Sequence, residues 1–233
     1  MYLVMAFFLC CSMAGAQATS GRGAGLNMKA HSLFYSGING EPILTSKYEK
    51  LVYGTPFFSD DWKKGTVVLP NGDTYKDNDI RIDLLEGTLQ FRNDKGEERI
   101  ARAPVKEVLL AEAGNDSMYR FVPSAALPFK ALKTGWHMRL QSGKVALYKH
   151  FGKALSEDKR YGSATTEQRI ATRITYFIVV NGTATEVKKL KDLPNVLPDK
   201  AKELQAFIRN SAGNTPEDQR VADAVAYYNS LVP

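Results

Sequence analysis

Two adjacent aspartates, Asp60 and Asp61, stand next to Trp62 and form the most site-like short motif in this sequence. Paired carboxyl groups beside an aromatic ring suit sugar stacking and general acid catalysis of glycoside cleavage. The structural alternative is a loop that leads into a strand and is anchored by Trp62, because large aromatic side chains at strand starts mostly pack in the core. Asp60 and Asp61 are therefore candidate catalytic residues, and Trp62 is a candidate binding residue.

The three histidines are the other groups that could do chemistry, and His137 and His150 fall on two adjacent predicted strands. Pairing these strands about the turn at Ser142-Gly143 brings both imidazoles near the far end of the hairpin, which makes them candidate binding residues. Together with a carboxylate such as Glu157 they could hold zinc. The close ligand spacing typical of tight metal sites is missing, however. We therefore expect edge or surface histidines, no metal site and no cofactor; His31 falls near the N-terminal leader.

Signatures of covalent catalysis are missing from the sequence. It contains no Gly-x-Ser-x-Gly motif and no Ser-x-x-Lys with the partner residues that such an enzyme needs. Both cysteines, Cys10 and Cys11, fall in the N-terminal apolar segment. Removal of that segment would exclude a disulfide framework, a cysteine nucleophile and a thiolate metal site together.

The first sixteen residues predict a signal peptide. An apolar run from Met1 is followed by Ala14-Gly15-Ala16, the small-x-small pattern that signal peptidase cleaves, which predicts a mature start at Gln17. Cleavage after Ala18 is the second choice, and a retained anchor or lipid attachment at Cys10 or Cys11 are the alternatives. The apolar run is shorter than the roughly 20 residues that span a bilayer. We expect an exported protein that is periplasmic, outer-membrane-associated or secreted, with no transmembrane span after cleavage.

The charge of the chain limits the classes of partner that it can bind. The formal net charge is +6, and the basic residues are dispersed, with the densest cluster at Lys188, Lys189 and Lys191. A basic exported protein can bind an envelope component such as anionic lipid, or an anionic glycan. The alternative is an ordinary solvated surface. Nucleic acid is excluded as a partner by the expected location.

Residues 17–30 are rich in Gly, Ser, Ala and Thr and predict a flexible leader. Residues 31–188 then predict an antiparallel β domain in which sequence neighbours pair in space. Ile80 to Leu84 alternates apolar and polar residues, as a strand with one wet face does. Asn71-Gly72 and Asn181-Gly182 tolerate the positive φ of tight hairpin turns. The fold class is therefore mainly β: an antiparallel meander, as a curved sheet or a partly closed barrel, followed by a C-terminal pair of α-helices.

Two segments of this domain carry more specific expectations. The β-branched and aromatic run from Ile174 to Val180 predicts a strand at the centre of the sheet. The polar, Ser- and Thr-rich segment from Ser156 to Gln168 predicts a long mobile loop.

The C-terminal residues 189–233 change to helical periodicity and predict a helical appendage packed on the sheet. Ala201, Leu204, Phe207 and Ile208 share one helical face. Thr215 to Asp218 is a helix start signal, with a capping hydroxyl, a proline in the first turn and acids facing the positive helix end.

Several short motifs are spread along the chain after the signal segment: Pro56 to Val67, Tyr75-Lys76-Asp77, Ile80 to Leu84, Leu89-Gln90-Phe91, Pro104-Val105-Lys106, Gly135-Trp136, Gly143-Lys144-Val145, Tyr176-Phe177, Leu190 to Leu193 and Leu197 to Lys200. In these motifs, most of the chain resembles a group of exported proteins, common in Bacteroidota, that have no assigned function. The resemblance implies an exported β domain with terminal helices and lends no catalytic residues.

Three functional hypotheses follow. The first is a non-enzymatic β-platform that binds or supports something in the periplasm or at the cell surface, because reactive groups are sparse and unclustered. The second is a hydrolase acting on a glycan with Asp60 and Asp61 as its acids. The third is a soluble carrier with an apolar pocket between the sheet and the terminal helices.

Overall fold

The computed structural model describes residues 38, 40–43, 48–112, 117–129, 131–159, 166–211 and 215–232. The predicted signal peptide, the leader and His31 lie outside the described residues. The twelve strands are β1 (Glu41–Pro42), β2 (Leu51–Tyr53), β3 (Lys63–Val68), β4 (Thr74–Asp83), β5 (Thr88–Arg92), β6 (Glu98–Ile100), β7 (Glu107–Ala111), β8 (Met118–Pro123), β9 (Trp136–Gln141), β10 (Val145–Asp158), β11 (Glu167–Val180) and β12 (Thr183–Val187). The helices are α1 (Leu193–Val196), α2 (Ala201–Asn210) and α3 (Glu217–Leu231).

All twelve strands form one open sheet, which confirms the predicted fold class. The strand order is β1-β6-β5-β4-β3-β7-β8-β9-β10-β11-β12, and β2 pairs with β11. Every pairing is antiparallel except the parallel pairing of β2 with β11. Three connections depart from a simple meander. β1 pairs with β6 and β2 pairs with β11, so the connections into and out of β2 join distant strands. The third is the connection from β6 to β7, through which the chain returns to pair β7 with β3. The connecting backbone is anchored by the carbonyl of Ile38, which accepts from the N–H groups of Arg102 and Ala103.

The hairpin turns form where the sequence predicts them. The turn between β11 and β12 has Asn181 and Gly182 at φ values of 49° and 78°, the pair of positive angles that a two-residue turn matched to strand twist requires. Gly72 likewise has a positive φ between β3 and β4.

The two faces of the sheet carry different cores. On one face, Ile80, Phe91 and Phe121 are completely buried in a cluster that spans β3 to β10. The same face continues over β10 to β12, where Leu147 and Ile178 pack against Leu204 and Val225 of α2 and α3. The opposite face of β10 to β12 has a smaller cluster around Tyr148 and Phe177, covered by the segment that leads into β9.

Two expectations about β10 and β11 are wrong. The run from Ile174 to Val180 is not central, since β11 is the second-last strand in the order; its apolar character reflects cover on both faces. The segment from Ser156 to Gln168 is not one long loop, because β10 continues to Asp158 and β11 begins at Glu167. These strand ends are largely exposed, so they lack the apolar alternation that would have indicated strands.

The C-terminal helices form as predicted, but the cap of α3 does not. No described side chain caps its N-terminus, so Thr215 does not play the predicted role. Instead, Asp218 in the first turn binds the Nζ of Lys149 and accepts from the Tyr176 hydroxyl, 2.6 Å away. These bonds tie α3 to β10 and β11. Among the described residues, none of the helices combines the length and apolar character needed to cross a bilayer.

Candidate functional site

The structure places the acid pair on the surface rather than in a cleft. Asp60 and Asp61 are both exposed, in the segment that leads into β3. Asp60 accepts a hydrogen bond from the hydroxyl of Thr55, five residues earlier. This bond closes the local loop, so the hydrogen-bonding role seen for Asp60 is structural.

Trp62 is half-buried and packs against cations rather than in the apolar core. The guanidinium carbons of Arg81 and Arg92 lie 4.4 and 4.5 Å from the centre of its ring. Arg81 also donates to the side-chain oxygen of Gln90 at 2.7 Å, and Arg92 pairs with Glu98 at 3.2 Å. The ring is therefore engaged by two guanidinium groups, which limits its use as a platform for a sugar.

Among the described residues, a different carboxylate is buried: Asp83 at the end of β4, with only 1% of its surface exposed. It accepts hydrogen bonds from the Tyr48 hydroxyl at 3.1 Å and from the N–H groups of Leu85 and Glu86 at 3.0 and 2.9 Å. Burial raises the pKa of Asp83, and these donors oppose the rise. Three donors leave it little capacity for chemistry, so Asp83 closes the turn after β4.

Sequence reasoning missed this role of Asp83, although a signal was present. An aspartate at a strand end with Gly87 four residues later is typical of a turn in which the aspartate side chain accepts hydrogen bonds from the backbone N–H groups that follow it.

Lys153 lies near the same carboxylates. Burial lowers the pKa of its amine, and the negative charges of Asp60 and Asp83 act in the opposite direction.

The two histidines come together near the far end of the hairpin, as predicted, and a register shift sets them directly opposite each other. His137 on β9 pairs directly with His150 on β10. Their rings stack with centroids 4.8 Å apart and planes 27° from parallel. Phe177 on β11 packs edge-on against both rings. They are not surface histidines, because His137 is completely buried and His150 is 7% exposed.

The environment of the pair keeps both imidazoles neutral. Burial lowers the pKa of His137 to about 4, and the neighbouring His150 adds to the effect. Burial also lowers the pKa of His150. Both ring nitrogens of His137 and the Nδ1 of His150 are buried without a hydrogen-bond partner among the described residues. The pair therefore belongs to the sheet's second core and titrates only in acid.

The zinc arrangement with Glu157 does not assemble. Glu157 lies seven residues beyond His150 on β10, about 23 Å along an extended strand. It accepts instead from the side chain of Gln168 on β11, at 3.0 Å. Within the described residues, no group of three His, Cys, Asp or Glu side chains could hold a metal ion.

A groove lies at one end of the sheet. It has a volume of about 480 Å³ and forms where the connection from β6 to β7 passes the ends of β3, β5 and β8. Trp136, 4% exposed, lies at its base, and its Nε1 has no hydrogen-bond partner among the described residues. Most of the lining is apolar or small: Pro70, Leu89, Ala101, Ala103, Val105 and Pro123.

Sequence reasoning missed this groove because its lining comes from segments that are far apart in the chain. Only the topology brings them to one end of the sheet, and each residue alone is typical of a turn or of a core.

Comparison of the chain with known protein families, curated proteins and solved structures finds no match.

Proposed function

We propose that this protein is an exported, non-enzymatic β-platform that binds an apolar ligand or an apolar side chain of an envelope partner. The observation that carries the proposal is the groove over Trp136. Its size lies within the range of small-molecule sites, about 300–1,000 Å³, and such sites are lined mainly by apolar groups.

The groove has the composition of a binding surface rather than of a catalytic centre. Among its lining residues, Lys106 is the only charged one, and it is exposed at the rim. An apolar ligand with an anionic group would place its body over Trp136 and its charge near Lys106. The net charge of +6 favours the same class of ligand.

The two alternative functions have less support. For the glycan hydrolase, Asp60 is bound to Thr55 and two guanidinium groups engage the ring of Trp62. For the carrier with a pocket between sheet and helices, that interface is filled by buried side chains such as Leu147, Ile178 and Leu204. We therefore place the ligand at the end of the sheet.

The groove can be tested with the fluorescence of its own tryptophan. Since Trp62 and Trp136 are the two tryptophans of the chain, Trp62→Phe leaves Trp136 as the single tryptophan, which is excited selectively at wavelengths where tyrosine does not absorb. Titration of this variant with 1-anilinonaphthalene-8-sulfonate, an apolar body with an anionic group, should show saturable energy transfer from Trp136.

A matched pair of variants locates the probe. Ala103→Phe fills the groove and should lower the affinity at least tenfold, whereas Ala154→Phe adds the same volume at an exposed site on β10 and should not. Should Ala103→Phe fail to fold, Ala126→Phe at the exposed rim takes its place. Equal binding by the groove-filled variant and the β10 variant would overturn the proposal.

A further inference from the structure

The outer edge of β11 is interrupted. β10 pairs with all fourteen residues of β11 along one edge of that strand. Every other strand that pairs with β11 must therefore use its opposite edge. There, β12 pairs with β11 from Val180 to Tyr176, and β2 pairs with Gln168 and Arg169. Gly54, just after β2, packs against the carbonyl of Ile170. Among the described strands, none pairs with this edge between residues 171 and 175.

The register shows which backbone groups face the gap. The N–H of Gln168 donates to the carbonyl of Lys50, on the β2 side. Backbone groups alternate between the two edges of a strand with a period of two, and β11 pairs with β10 without a register shift. Thr172 and Ile174 therefore direct their N–H and C=O groups into the gap. Ala171 and Arg173 direct theirs to β10.

We propose that this gap binds one extended, acidic segment of a partner protein, added as a strand between β2 and β12. Five residues of strand span about 17 Å, so the gap admits a segment of about that length. The flanking strands β2 and β12 block the approach of a broad sheet edge. A single strand fits, and it would gain the main-chain hydrogen bonds of Thr172 and Ile174.

The side chains around the gap specify the chemistry of that segment. On the helix side, Ile174 is 38% exposed and borders a pocket of about 290 Å³. The other lining residues are Tyr176, Lys188, Pro216, Glu217 and Asp218. The two carboxylates disfavour acidic side chains of the added strand on this side. Apolar side chains of the added strand fit there. On the other face, Arg173 is exposed. Arg173 has no ion-pair partner among the described residues, so acidic side chains at the alternate positions of the added strand, which share its face, match it.

The proposal concerns a different surface from the groove over Trp136 and does not require the groove to bind anything. The probe is the peptide acetyl-Val-Glu-Val-Glu-Val-amide, tested on the full chain by hydrogen exchange. We expect it to slow exchange of the Thr172 and Ile174 amides at least tenfold. The Ala171 and Arg173 amides, which face β10, should change little. The lysine counterpart acetyl-Val-Lys-Val-Lys-Val-amide should bind at least tenfold more weakly.

Two variants separate backbone recognition from side-chain effects. Thr172→Pro removes one N–H that faces the gap and leaves the bonds to β10 in place, as prolines at sheet edges do. It should abolish peptide binding, while Thr172→Val should retain it. Both should bind the groove probe like the wild type, so failure of this proposal is distinguishable from failure of the proposed function. Arg173→Glu should reverse the preference between the two peptides without touching the backbone.

Four outcomes would overturn the proposal. The first is protection of the Thr172 and Ile174 amides without peptide at every protein concentration, which would assign the gap to another segment of this chain. The second is protection that grows with protein concentration, which would assign it to a second copy. The third is equal binding of both peptides, and the fourth is equal peptide binding by folded Thr172→Pro and Thr172→Val.

Discussion

Acidification should destabilise this protein through His137, which is completely buried against His150 and Phe177. Its pKa falls from an ordinary value of 6.5 to about 4 in the folded state, so the unfolded chain binds a proton that the folded chain rejects. The contribution of neutral His137 to the free energy of unfolding is fully present above pH 6.5 and is lost as the pH falls from 6.5 towards 4. At 1.36 kcal/mol per pKa unit, the full loss is about 3 kcal/mol.

The measurement is the free energy of unfolding in urea from pH 7.5 to pH 4.5. Carboxylates titrate in the same range, so the informative quantity is the difference between the wild type and a variant without the imidazole. His137→Phe should lose about 2 kcal/mol less than the wild type over this interval, because most of the expected shift is expressed by pH 4.5. His137→Gln provides the same comparison with a polar side chain. Equal losses in the wild type and both variants would refute the reasoning.

Further substitutions test the other parts of the structure. Lys149→Met removes the cation that holds Asp218 and should lower the free energy of unfolding in urea by about 1–2 kcal/mol, because Asp218 is only partly buried. Its control is Lys64→Met at the exposed pair with Asp79, which should lower the same free energy by less than about 0.5 kcal/mol. Equal costs would contradict this account of how α3 is fixed. Asp83→Ala leaves three donors without their acceptor and should lower the free energy of unfolding by about 3 kcal/mol in the same assay. The control Asp61→Ala, at an exposed position, should change that free energy by no more than about 0.5 kcal/mol. A neutral Asp83→Ala would show that the turn closes without this carboxylate. Gly65→Ala places a Cβ 2.4 Å from the Cδ1 of Ile80 and should lower stability by about 1–3 kcal/mol in thermal unfolding. Gly152→Ala meets only ordinary contacts and serves as its control.

The parts of the fold that the sequence predicts are those set by local patterns. The turns at Asn71-Gly72 and Asn181-Gly182, the pairing of β9 with β10 and the two long C-terminal helices each depend on residues close in the chain. The closeness of His137 and His150 follows from that hairpin, whereas their direct pairing depends on a register shift that a two-residue turn at Ser142-Gly143 does not predict. Their burial does not follow from the hairpin either, because it depends on Phe177 and on the segment that covers the second face.

What the sequence does not predict depends on distant contacts. The pairing of β7 with β3 and of β2 with β11 leaves no periodic signal. The exposed ends of β10 and β11 resemble a loop in composition, although they pair along their whole length. The groove over Trp136 and the gap at Thr172 and Ile174 arise only from these long-range pairings. Both candidate binding surfaces could therefore be identified only from the structure.

We propose that this protein binds its partner outside the cytoplasm, and processing of the N-terminus tests that proposal most directly. The measurement is the intact mass of the natively expressed protein after cell fractionation. We predict a mature chain that begins at Gln17, in the periplasmic, outer-membrane or secreted fraction. A full-length chain that retains Met1 and remains in the cytoplasm would contradict the account, because an envelope partner could not then reach the groove.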